Sequence, residues 1–257
     1  MATSRRRRWR SPAEPVPDPL VVILGQGPKA HVELVGESAA ALSALSRARL
    51  GVPRGVILTT ALTSAVTVRS LPEIGYVIPG NGPDPFPALP LVSALTSVWH
   101  EVARGGVIGV NVTPAGDRTG RFHELPIRRW DGFLSTVRAA AEVHDPPVPV
   151  RVQRPVDAVL SGTVRRLGPS RRSPVELQVD SGAGVRSASV TVVDRFGREL
   201  TEQHQGSIPL APSVRQQLAR LANDVDRCLG GTNETTWAVT ASGADWVLDV
   251  VPADERR

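Results

Sequence analysis

The C-terminal stretch constrains this 257-residue chain more than any other segment. Val214, Leu218, Leu221, Val225 and Leu229 recur at helical spacing, with Ser213 placed to cap the helix and Gly230-Gly231 placed to end it. Two β-rich segments follow at once, Thr235–Thr240 and Trp246–Val251, around a Ser242-Gly243 turn, which predicts a hairpin. A helix with one apolar stripe must bury it, and a hairpin alone is marginal in water. Helix and strands therefore have to share a layer boundary.

The rest of the chain alternates in the same way. Leu20–Leu24 is a short apolar run ended by Gly25 and reads as a strand. Gly36-Glu37-Ser38 opens an alanine-rich helix through Leu42, Leu45 and Leu50, with Gly51 as its expected C-terminal glycine and Pro53 barring continuation. Val56–Thr60 is β-branched and predicts a strand. After a proline-rich connector at Pro83–Pro90, Leu91, Leu95, Val98 and Val102 mark a second helix, closed by Gly105-Gly106. Val107–Val112 predicts a strand, Thr113–Gly120 a polar loop, and Trp130, Phe133, Leu134, Val137 and Ala141 a third helix. His144–Val148 reads as a hinge, and Val150–Val159, Val175–Val179 and Val185–Val193 follow as strands. The pattern predicts an α/β or α+β fold in two lobes, residues 19–145 and 146–257, after a tail at 1–18.

That tail holds most of the charge imbalance. The chain carries 30 Lys+Arg against 25 Asp+Glu, and Arg5, Arg6, Arg7, Arg8 and Arg10 account for the whole excess. The body is balanced, so net charge does not point to nucleic acid, and only a weak contact of the tail with an anionic surface is left open. Residues 1–18 are expected to be disordered. No apolar run follows the arginines as a secretory signal requires, so a cytoplasmic protein is expected. Cys228 is the single cysteine, which excludes an internal disulfide. Its spacing after Val225 predicts semi-buried packing.

Motifs of chemistry are weak when taken singly. Gly25-Gln26-Gly27-Pro28-Lys29 lacks the Gly-Lys-Ser/Thr ending of a phosphate loop and reads as a turn. His100-Glu101 and His123-Glu124 lack the second histidine of a zinc helix, and no nucleophile elbow occurs. Trp237 and Trp246 are placed either for a cross-strand aromatic pair or for core packing.

Read in order, however, several segments resemble the ATP-binding domain of phosphoenolpyruvate (PEP) synthase, pyruvate phosphate dikinase and rifampicin phosphotransferase. Gly231-Thr232-Asn233-Glu234-Thr235-Thr236-Trp237-Ala238 and Val247-Leu248-Asp249-Val250-Val251-Pro252 are similar to the family's Gly-x-x-Asp-Ile-Glu-Trp-Ala and Leu-Leu-Gln-Ala-Arg-Pro. Gly36-Glu37-Ser38 with Gly51–Thr60 resembles its Gly-Gly-Lys helix and Val-Pro-Pro-Gly-Phe strand. Val110–Asp117 resembles its Val-Arg-Ser-Ser…Glu-Asp loop, and Val152–Val156 with Ser161-Gly162 its Val-Gln-x-Met-Val…Ala-Gly segment.

The resemblance implies a two-lobed ATP-grasp fold that holds ATP and Mg²⁺ and passes phosphoryl to a histidine on a separate domain. Its cleft positions fall on Ser38, Asn111, Asp117, Gln153, Glu234, Thr236 and Asp249, and most are substituted. Ser38 stands for the lysine, Asn111 for the arginine of the loop, Thr236 for the glutamate before Trp-Ala, and Asp249 and Val251 for the last glutamine and arginine. A register error at Arg69 is one possible rescue. Asp249 is the one weak candidate metal ligand. Two expectations follow: a non-catalytic or regulatory homologue, or an active phosphotransferase whose phosphohistidine or PEP-utilising domain is another chain. A third is a binder of nucleic acid or of an anionic surface through the Arg-rich tail.

Overall fold

Strand register decides how the two layers of this molecule meet. The computed structural model describes residues 19–26, 32–68, 89–103, 111–114, 127–180, 188–203 and 210–252. In chain order the elements are β1 (Val21–Ile23), α1 (Val32–Val35), α2 (Glu37–Arg47), β2 (Gly55–Leu58), α3 (Thr60–Val68), α4 (Leu89–Ala103), β3 (Asn111–Pro114) and α5 (Trp130–Ala141). Then come β4 (Val150–Gln153), β5 (Ala158–Arg166), β6 (Val175–Asp180), β7 (Ala188–Val193), β8 (Glu199–Gln203), α6 (Pro212–Leu229), β9 (Asn233–Thr240) and β10 (Asp245–Pro252). The strands form two antiparallel sheets, β1-β2-β4-β3 and β10-β9-β5-β6-β7-β8. The fold is α+β, in two lobes.

In the four-stranded sheet, alternation sends Val56, Leu58, Val150 and Val152 into a core shared with α3, α4 and α5. Trp99, Trp130 and Phe133 pack there with ring centroids 5.3 to 6.1 Å apart. Ile57, on the other face of β2, joins a second core with α2, α6 and the six-stranded sheet. All four β2 residues are consequently buried. Sheet membership changes after Gln153, and α2 packs against β10 and α6, so the second core draws on both halves of the chain.

Several sequence expectations hold in outline and shift in detail. The helix expected to be capped by Ser213 starts two residues earlier, with Pro212 in its first turn and Ala211 as a cap without a side-chain bond. Proline suits that position because its missing N–H had no partner to lose. Gly230, at φ +79°, ends the helix as expected. Arg49, not Gly51, takes the left-handed conformation after α2. Gly51 matters for a different reason: a Cβ there would run into the Asp245 carbonyl, and the Val247 N–H donates to the Gly51 carbonyl at 2.6 Å. This glycine is where the segment after α2 packs against the start of β10.

Val150–Val159 is two strands in different sheets rather than one, interrupted at 154–157. The final hairpin is present, but Trp237 pairs with Val247 and Trp246 with Ala238. The two tryptophans are therefore not partners, and Trp237 is wholly buried in the second core. Cys228 is exposed rather than semi-buried, since the helix turns it away from the stripe carrying Val225. The Arg-rich tail, Lys29, Arg69, Asp117 and His123-Glu124 lie outside the described residues.

Candidate functional site

The faces of β4 place the residues that the family resemblance singles out. Val150 and Val152 point into the first core, which turns Arg151 and Gln153 toward α2 and β10. Arg151 is 8% exposed. A buried guanidinium needs a counter-charge, and two residues from other elements supply its partners. Arg151 Nη1 donates to Asp249 Oδ1 at 3.0 Å and to Ser38 Oγ at 3.1 Å. The Ser38 hydroxyl, in the first turn of α2, also donates to Asp249 Oδ1, and the Val250 N–H adds a third donor at 3.0 Å. Asp249 thus accepts from a cation, a hydroxyl and an amide, all at one oxygen.

The cluster joins the four-stranded sheet, α2 and the edge strand of the six-stranded sheet. It brings together Ser38 and Asp249, two of the seven expected positions. Gln153 lies two residues along the same face and is buried, with Nε2 donating to the Pro53 carbonyl at 3.4 Å. Asn111 is the register partner of Gln153 on β3, and Thr236 that of Asp249 on β9. Glu234 stands further along β9, opposite Arg165 and Val251. Asp117 falls outside the described residues.

Arg151 itself is the site residue that sequence reading misses. A lone arginine between two valines of a buried strand was the available signal. A guanidinium thus reaches this corner from β4, paired to Asp249. One face of the six-stranded sheet carries a second polar group. Arg165 donates to both oxygens of Glu176, at 2.8 and 3.1 Å. Those bonds, working against desolvation, raise Arg165 above the ordinary guanidinium value, and Glu234 adds a further attraction.

Asp249→Ala is expected to loosen the junction of the lobes. It leaves Arg151 buried without its carboxylate, and Arg151 Nε already has no partner. The expected loss is about 2–4 kcal/mol of unfolding free energy, at the lower side because Asp249 is partly exposed. Urea titration checks this. A loss indistinguishable from that of an exposed ion pair, under about 1 kcal/mol, would show that the cluster does not brace the lobes.

No family model and no curated protein sequence matches the chain. Among solved structures it is similar to the ADP complex of PurK, N5-carboxyaminoimidazole ribonucleotide synthetase (12% identity, TM-score 0.48, 83% of this chain and 43% of that one). It is also similar to D-alanine-D-alanine ligase from Coxiella burnetii (12% identity, TM-score 0.44, 85% and 47%). A third is L-amino acid ligase from Bacillus licheniformis (10% identity, TM-score 0.43, 82% and 38%). The chain spans less than half the length of each. At these scores and identities no function carries across. No helix among the described residues is long and apolar enough to cross a membrane.

Proposed function

We propose that the chain is an ATP-grasp-like domain of the PEP synthase type in which the phosphate and metal corner has become an internal brace. On this reading it acts as a non-catalytic partner or regulator of a phosphohistidine or PEP-utilising domain protein. The observation that carries the reading is the engagement of Asp249. The one acid at a candidate metal position accepts from Arg151, Ser38 and a backbone amide at a single oxygen.

Mg²⁺ at the β- and γ-phosphates calls for carboxylate or amide oxygens held free for it, and phosphates call for unpaired cations. Among the described residues no three His, Cys, Asp or Glu side chains converge. Asp249 and Arg151 spend their charges on each other, which leaves this corner neither a net negative site for Mg²⁺ nor a net positive one for phosphate, and Gln153 is positioned by its Nε2 on the Pro53 carbonyl. Mg-ATP therefore does not fit the described residues in the manner the resemblance implies, and no phosphoryl step is derived through it. The test is transfer of label from γ-phosphate-labelled ATP with Mg²⁺, alone and with a PEP-utilising histidine domain. No transfer and no hydrolysis above background are expected. Label on the histidine would overturn the reading in favour of an active phosphotransferase subunit.

A further inference from the structure

A cavity of about 800 Å³, open to solvent, lies beside α6 and away from the Arg151 cluster. Five arginines and two aspartates line it. Arg166 is bound to Asp226, and Arg227 to Asp224 at 3.2 Å. That leaves Arg171, Arg195 and Arg220, all exposed, with no ion-pair partner among the described residues. They come from three separate elements: the β5–β6 loop, the β7–β8 turn and α6. Three like charges around one concavity repel one another, and an anion removes that repulsion. A net positive cavity coexists with a charge-balanced body because the fold gathers arginines that the sequence scatters.

One aromatic ring sits among them. Phe196 is 51% exposed, with the Arg195 guanidinium 4.4 Å from its ring centroid. The turn that presents it is built rigidly. Asp194 Oδ1 accepts from the Phe196 and Arg198 amides at 2.8 and 2.9 Å. Gly197 has φ +78°, and a Cβ on it would stand 2.5 Å from the Gln216 backbone, so the turn lies directly on α6. An exposed phenyl ring on a fixed turn between arginines can stack a planar base while the guanidiniums hold phosphates. The same two loops carry Arg172 and Arg198, exposed and outside the cavity lining, so cations continue beyond it. That continuation fits an extended ligand better than a compact one.

We propose that this cavity binds single-stranded nucleic acid, with phosphates on Arg171, Arg195 and Arg220 and a base on the exposed ring of Phe196. A duplex hides its base faces and should bind worse. The test is fluorescence anisotropy of the full chain with labelled 12-nucleotide oligothymidylate and oligouridylate, the matching duplex, and unlabelled ATP as competitor. Strand binding is expected to weaken with salt, as counterions are displaced. The double variant Arg171→Ala/Arg220→Ala, both exposed and with folding checked by circular dichroism, should lose tenfold or more in affinity. Its log–log salt slope should fall by roughly 1.4, about 0.7 per lost phosphate contact. Phe196→Ala should lose roughly fivefold or more with the slope unchanged.

Four results would overturn the proposal: no binding up to about 100 μM, the weak end of non-specific affinity; equal binding of duplex and strand; ATP competing as well as the strand itself; or binding lost on deletion of residues 1–10 but indifferent to these substitutions. The last would assign binding to the Arg-rich tail.

Discussion

Arg166→Met is expected to lower the unfolding free energy by about 3–5 kcal/mol, because it strands a buried carboxylate. Arg166 and Asp226 are 7% and 5% exposed and join the end of β5 to α6 in the wall of the open cavity. Arg166 donates through Nε, at 2.8 Å, and Nη2 to Asp226 Oδ2. The other carboxylate oxygen accepts from the Asn233 amide at 2.9 Å and from Asn233 Nδ2 at 3.0 Å, which ties the start of β9 to the end of α6. Every polar atom of Asp226 thus has a partner. Replacing both members, Arg166→Met with Asp226→Leu, should recover part of the loss. Recovery should stay incomplete, since the Asn233 donors lose their acceptor. Urea unfolding of the two single variants and the double variant measures the coupling. A single-variant loss under about 1 kcal/mol would place the pair with exposed ion pairs and refute its buried role.

Trp237→Ala is expected to cost a similar amount, about 3–5 kcal/mol, by opening a cavity where the largest fully buried side chain stood. Trp237 lies at the centre of β9, between β5 and β10, and Gly162 on β5 leaves the room it occupies: a Cβ there would stand 3.0 Å from the indole. Its Nε1 is buried without a hydrogen-bond partner among the described residues. Trp237→Phe therefore removes volume but also removes an unsatisfied donor, and the expected loss is smaller, about 1–2 kcal/mol. Thermal unfolding followed by circular dichroism checks the order. Equal losses for Ala and Phe would contradict this, because the volume a phenyl ring restores would then contribute nothing and the whole effect would lie in the part of the indole that both variants lack.

Much of the architecture was legible because it rests on periodicity. The stripe from Val214 to Leu229, the alanine-rich helix after Gly36 and the final hairpin are all where the pattern places them. Three elements escaped. Val32–Val35 is a single helical turn, too short to show a period. Thr60–Val68 is rich in Thr and Val, which lowers helix propensity, and it is a helix because Leu62 and Val66 find a core face. Glu199–Gln203 is short and polar, as an edge strand can be, and shows no apolar alternation. The site was half legible. Ser38 and Asp249 were named as cleft positions from the resemblance, and they do meet, although 211 residues apart. Arg151, Arg166 and the arginines around Phe196 were not, because an arginine in sequence reads as a solvated residue. Only the register of β4 and β5 shows that Arg151 and Arg166 face inward.

A calorimetric titration of Mg-ATP into the full-length Arg171→Ala/Arg220→Ala chain tests the central claim most directly. In that background the open cavity beside α6 has lost two of its arginines, so a heat that also survives Arg195→Ala and deletion of residues 1–10 reports on the corner formed by Ser38, Arg151 and Asp249. The account predicts heats of dilution alone, with and without Mg²⁺. A saturable, Mg²⁺-dependent isotherm of one ATP per chain would contradict it, because that corner would then be a working nucleotide site rather than a brace.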